Sequence, residues 1–387
     1  MAAATHDIDP DGDIILKLTD ANAPFAVWPE KDATDADGKE HETFTDNLDG
    51  IDASSEAGED PEQQGDAVKP STNSVSSSAD ENVNTPERPV VPAPEVHLRL
   101  SSKHLTLVSP YFKSMLCGPW KEGDRSGTQT RVLTAESWDQ DALLTVMCII
   151  HGRNKKVPRE VDIEMMAKIA VIVDYYQCHE ALEVFSDIWL KELKRTVLLP
   201  EAYNRDAVLW LHIANVFSDD LTVRSMTRIM QRDLTEPLST LGLPVPASVV
   251  DRLEAFRTQS IGRLIDEIHV HFTSLSQSFP RTCTDRCDLM SLGAITREMA
   301  TNNLLLRPKL PYRGKSVGQL MTIMEALRKP SWCPSTHLSR KSKYRYESDF
   351  WSDLHSTGKS EGGACQQAEK SWPALQEVMA GIVGFGL

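Results

Sequence analysis

Hydrophobic positions first fall into a regular pattern in DGDIILKL, where Ile14, Leu16 and Leu18 alternate with Ile15 and Lys17 behind an Asp-Gly pair; this predicts a strand at about 13–18. The pattern then vanishes until EVHLRL, where Val96, Leu98 and Leu100 alternate with His97 and Arg99 and predict a second strand with one apolar face. Ser109 precedes Pro110, a hydroxyl cap before a proline whose missing N–H costs nothing at the first helical position. A helix over 111–116 follows, with Phe112, Met115 and Leu116 on one side and a stop at Gly118-Pro119, and a short strand is expected at 131–133. Three helical stripes come next: Leu143, Leu144, Met147 and Ile150; Ile163, Met166, Ile169, Ala170 and Val173; Leu182, Phe185, Ile188, Trp189 and Leu193. Their density predicts a compact core. Beyond residue 200, Val208–Phe217 and Leu253–Ile268 show helical periodicity suited to packing within the chain.

The interval between the first two strands has a different composition. Residues 33–92 hold one aromatic residue, many Ser and Pro, and 15 acids against 3 bases. Too little apolar surface is present there to offset ordering entropy, so disorder is expected. The segment accounts for −12 of the formal net charge of −15, leaving the rest of the chain near neutrality. A whole-surface nucleic-acid interface is thereby disfavoured, since phosphate binding needs clustered Lys and Arg. The tract RKSKYR at 340–345 is the exception, a candidate nuclear-localisation or phosphate-contacting patch, with a solvated basic loop as the alternative. MAAATHDIDPDGD carries acids where a signal peptide would be basic and then apolar, and LLTVMCII at 143–150 is too short to span a bilayer. Cytoplasm and/or nucleus is the expected location, with no membrane partner, and the 7 cysteines are expected as free thiols.

The arrangement of these pieces resembles the BTB/POZ fold, in particular the divergent BTB proteins of filamentous fungi. The resemblance rests on DPDGDIILKL, LRLSSKHLTLVSPYFKSML, WDQDALLTVMCIIHGRNKKVP and MAKIAVIVDYYQCHEALEVFSDIW, covering about 9–20 and 96–193. It implies an α+β protein with three parts. A discontinuous BTB/POZ-like domain, a small sheet with a helical cluster, spans 9–32 and 93–195; 33–92 is a disordered insert; 196–387 is a mostly α-helical region. It also implies protein binding, with a second copy of the chain or a cullin scaffold of a ubiquitin ligase as partner, and no catalytic site. Where many BTB domains carry a His-Lys pair beside an Asp aligned with Asp13, this chain has Ser101-Ser102, so the charged pocket of oligomeric BTB transcription factors is not expected.

Four residues could carry chemistry. Cys283 and Cys287, with Cys333 and His337, would supply the soft sulfur and nitrogen donors of a tetrahedral structural zinc, provided the fold joins pairs more than forty residues apart. Unligated cysteines are the alternative, and no other cofactor is implied. Cys117, Cys148 and Cys178 lie in apolar helical contexts and are expected in the core. His269 and His271 would point about 200° apart on a helix, which disfavours joint ligation. No phosphate-binding glycine loop, nucleophile elbow or HExxH helix occurs, so an enzyme is not expected. The rivals to an adaptor or scaffold are a transcription-linked nuclear scaffold and a zinc-stabilised C-terminal domain with enzymatic activity.

Overall fold

The computed structural model describes residues 6–29, 95–117, 130–277, 285–328 and 372–385, of which 285–287 and 328 are described in backbone only. Contacts divide the chain into Pro29–Pro92 and the remainder. The expected disordered insert at 33–92 lies outside the described residues, as do Gly118-Pro119 and 340–345.

The remainder is a mixed α+β structure. Strands β1 (His6–Asp7), β2 (Ile14–Thr19), β3 (Val96–Leu100) and β4 (Arg131–Glu136) form one sheet in the order β1-β3-β2-β4. β2 pairs antiparallel with β3, Leu16 facing Leu98, and parallel with β4, Leu16 facing Leu133. The alternation read in the sequence is the burial pattern observed: Ile14, Leu16 and Leu18 are buried, and so are Val96, Leu98 and Leu100. His97 departs from it, since it too is buried, with Glu95 3.5 Å from its Nε2.

Between β3 and β4 lie α1 (Ser102–Val108) and α2 (Pro110–Cys117). The Ser109 cap forms as expected, its Oγ accepting from the Phe112 N–H at 3.0 Å. After β4 come α3 (Gln140–Ile150), a 3-10 turn at Asn154–Lys156, α4 (Ile163–Tyr176) and α5 (His179–Thr196). Asp139 and Asp162 cap α3 and α4 through their side chains. Two expectations fail on these helices. Cys117 is exposed, because it sits a further 100° around α2 from Leu116 and so faces solvent, whereas Cys148 and Cys178 are buried. Ile188 is 48% exposed: the buried stripe of α5 runs through Leu182, Ser186, Trp189, Leu190 and Leu193 and leaves it to one side.

The core that starts in the sheet extends past residue 195, the boundary expected from sequence, to Leu253. It takes in α6 (Arg205–Val216) and α7 (Asp220–Asp233). α6 is not amphipathic in place. It is buried on every side from Ala207 to Ala214, since α4 and α7 both pack on it. Arg205 ties it to the first segment of the chain, donating to the Ala26 carbonyl at 2.9 Å and to Glu164 at 2.8 Å. A second core from Ile261 to Val378 is formed by α8 (Ala247–Ser276), α9 (Asp285–Thr301), α10 (Val317–Arg328) and α11 (Pro373–Gly381). The 30-residue α8 is about 45 Å long and belongs to both cores, with Val249 and Leu253 in one and Ile261, Leu264 and Ile268 in the other.

The segment after α11 clips the second core to α7. Gln231 accepts from the Gly384 N–H at 2.9 Å, and Thr227 Oγ1 accepts from the Phe385 N–H at 3.0 Å. Arg252 stacks over the Phe385 ring at 3.8 Å. Gly384 has φ of 71°, and a Cβ there would overlap the Arg224 carbonyl oxygen. Gly384→Ala is therefore expected to cost about 1–3 kcal/mol and to speed hydrogen exchange across 372–385. Unchanged exchange in that segment would show that the clip contributes nothing.

Candidate interaction site

The site follows from which way β4 presents its main chain. The Arg131 N–H donates to the Asp13 carbonyl at 3.0 Å, the Ser137 N–H to the Thr19 carbonyl at 3.0 Å, and the Ala135 carbonyl accepts from Thr19 Oγ1 at 3.3 Å. Residues 131, 135 and 137 thus face β2. The alternate residues Val132, Thr134 and Glu136 turn their N–H and C=O groups outward. Among the described residues no strand pairs with that edge. An unpaired edge is a ready template for another chain.

Beside this edge lies an aromatic wall assembled from three separate stretches. Ser109, while capping α2, also donates its Oγ–H to the Tyr176 carbonyl at 2.5 Å, which fixes the start of α2 against the end of α4. Phe112 stacks on Tyr176 at 4.6 Å and 16° beneath the surface. Above them the Tyr111 and Tyr175 hydroxyls lie 3.0 Å apart, and Trp138 meets Tyr175 edge-on at 5.3 Å. Together with Met115, Leu133 and Thr134 they line a groove of about 330 Å3. Tyr175 is 49% exposed and Val132 60%. The hydrogen bond with Tyr175, together with burial, pushes the Tyr111 hydroxyl up to about 12, and burial raises Tyr176 as well. Tyr111 and Tyr176 therefore stay neutral hydrogen-bonding groups at ordinary pH. Aromatic side chains with one polar end, set in a concave site, are the residue type on which binding energy concentrates.

The neighbouring polar cluster is of another kind. The Asp13 carboxylate accepts from the Ser102 N–H at 2.8 Å, from Ser102 Oγ at 2.7 Å and from Arg131 Nη2 at 3.0 Å. Partial burial would raise this carboxyl, but those bonds outweigh it and hold it below its usual range. Asp13 is thus engaged within the chain. One residue away, His151 is buried: its Nε2 accepts from the Ser101 N–H at 3.0 Å and its Nδ1 lies 2.8 Å from the Met147 carbonyl. Since Nε2 must accept, the proton sits on Nδ1. Burial moves its pKa down.

None of the four expected zinc-ligand side chains is among the described residues. Cys283, Cys333 and His337 lie outside the described residues, and Cys287 falls in α9 where only the backbone is described. Among the described residues no group of three or more His, Cys, Asp or Glu is placed to hold a metal. His269 and His271 lie on α8; His271 is buried, edge-on to Trp372 at 4.8 Å. No helix among the described residues is long and apolar enough to cross a membrane. The groove itself was not anticipated from sequence. The tandem Tyr175-Tyr176 at the end of an otherwise aliphatic helix is the signal that could have pointed to it. No protein-family model, curated protein or solved structure matches the chain.

Proposed function

We propose that this chain is a protein-interaction module of BTB/POZ type. It receives a partner on the open edge of β4 and the aromatic groove beside it. The observation that carries the reading is the outward main chain of Val132, Thr134 and Glu136 running alongside Tyr111, Trp138 and Tyr175. Support for the BTB/POZ class comes from the order of elements: two strands, the insert, a third strand, a helix pair, a fourth strand in the same sheet and a helical cluster, in line with the small sheet and helical cluster that the sequence resemblance implies. As a specific use, the module acts as a dimerising scaffold or as a substrate adaptor for a cullin ubiquitin ligase, with the helices after residue 195 engaging the substrate.

Two substitutions test the site by different routes. Thr134→Pro removes an outward N–H while leaving the ladder to β2 intact, since proline is tolerated on an edge strand whose N–H faces away. Tyr175→Ala removes the exposed aromatic ring. In affinity purification from the native cell with quantitative mass spectrometry, each is expected to lower recovery of the principal partners about tenfold, the scale of a lost hot spot, with far-UV circular dichroism unchanged. Full recovery with both variants would refute the site. Absence of any cullin from the wild-type sample, where a known adaptor retains one, would refute the adaptor use alone.

A further inference from the structure

A second concave surface lies on the opposite stretch of sequence, between α7, α10 and α11. It is a groove of about 700 Å3 with an apolar floor of Ile229, Met321, Met379 and Ile382, and with Ser225, Arg228 and Arg232 of α7 and Glu201 completing its lining. Met379 is 45% exposed, and methionine suits a floor that must adapt to an incoming side chain. The arginines do not stand alone: Arg224, Arg228 and Arg232 recur at every fourth residue along the exposed face of α7. Like charges at that spacing destabilise a helix by a few tenths of a kcal/mol per pair, so the stability of α7 gives no reason for the row. Arg232 is satisfied within the chain by Asp233 and by the Glu201 carbonyl. Among the described residues, the Arg224 and Arg228 side chains make no ion pair or hydrogen bond.

An apolar floor with the unpaired side chains of Arg224 and Arg228 along one flank, beside the Arg232–Asp233 pair and Glu201, selects against two classes of ligand. A neutral apolar helix would leave the arginines unmatched, and a nucleic acid would bring phosphates but nothing to cover the methionines. We infer that this groove receives an acidic amphipathic helix of a partner protein. Apolar residues at i, i+3 or i+4 and i+7 seat on Ile229, Met321, Met379 and Ile382, while Asp or Glu on one flank pairs with Arg224 and Arg228. Binding here is separate from the β4 edge and gives the chain two distinct docking surfaces.

The test uses the full chain and a fluorescein-labelled synthetic helix of about 18 residues, long enough for five turns, with Leu on one face and Glu on the adjoining flank. Fluorescence anisotropy is expected to show saturable binding that weakens as salt rises. Arg224→Glu/Arg228→Glu should weaken it by about a hundredfold, the scale of reversing two exposed contacts at a desolvated rim. Tyr175→Ala should leave it unchanged, which separates this result from the fate of the β4 site. A peptide with Lys in place of Glu should not bind. The inference is overturned by no saturable binding of the acidic peptide, by equal binding to the double variant, or by a single-stranded oligonucleotide or phosphatidylserine vesicle that binds as tightly and loses as much in the double variant. Because both arginines are exposed, the double variant should retain the parent's melting curve. Should it unfold, Met379→Glu, which places an acid on the groove floor, serves in its stead with the same loss expected.

Discussion

Replacing Arg257 by methionine should lower the unfolding free energy by about 3–5 kcal/mol, the cost of breaking a buried ion pair by removing one partner. Arg257 lies on α8 between Leu253 of the first core and Ile261 of the second, and its side chain is wholly buried. Its guanidinium binds Glu254 in a two-pronged pair, both contacts at 2.8 Å. The remaining donors reach the carbonyls of Thr235 at 3.3 Å, Pro311 at 2.7 Å and Tyr312 at 3.3 Å. One side chain therefore fastens the loops after α7 and before α10 to the helix that both cores share. Methionine fills the space of the stem but offers no donor, leaving Glu254 half-desolvated and three carbonyls short of a partner. A fall in melting temperature of roughly 10 °C is expected by circular dichroism. Adding Glu254→Leu should recover part of that loss, since the uncompensated carboxylate goes with it. If the single variant melts with the parent, the guanidinium is not what joins these loops.

What could be read from the residues alone was whatever depends on neighbours in sequence. The alternation in β2 and β3 and the Ser109-Pro110 start of α2 are local devices, and the structure places them where the pattern said. Burial of Cys117 and Ile188 was misjudged because an apolar residue one step off a helical stripe looks like part of it. α6 shows the opposite error: Val208–Phe217 read as an amphipathic helix, but packing by α4 and α7 on two sides buries Ala207 to Ala214 all round and removes the solvent face there. The aromatic groove was out of reach for a deeper reason. Tyr111 and Tyr175 are 64 residues apart and meet where Ser109 bonds to the Tyr176 carbonyl, and β4 lies at a sheet edge because β2, which precedes the long insert, pairs with both β3 and β4, which follow it. Neither pairing leaves a periodic trace.

Acidification supplies the second large effect, and it acts on α6, which packs on α4. His212 sits on α6 with no exposed surface, and neither ring nitrogen has a hydrogen-bond partner among the described residues. Burial disfavours the imidazolium, so its pKa falls from 6.5 to about 4. The unfolded chain takes up this proton near pH 6.5 and the folded chain only near pH 4, so between those values the unfolded state binds more protons. Stability is then full above about pH 6.5 and is lost as the pH falls, by about 3 kcal/mol at pH 4 for this one residue. His151 acts in the same direction, because protonating Nε2 would set it against the Ser101 N–H it accepts from. Asp139, Glu164 and Asp219 have carboxyls held below their usual range by Lys168, Arg205 and Lys194 against the opposing effect of burial, and they extend the loss to lower pH. Urea midpoints taken from pH 8 to pH 4 should therefore decline in two stages. His212→Leu, close in volume and without ring nitrogens to desolvate, should raise stability at pH 7 by about 1–2 kcal/mol and remove most of the upper stage. A variant that keeps the parent's decline between pH 6.5 and 4 would rule His212 out as its source. α6 packs directly on α4, whose last turn carries Tyr175 and Tyr176, so the same protonation is expected to loosen the aromatic wall. Partner capture at the β4 edge should then weaken with falling pH in the parent and less so in His212→Leu.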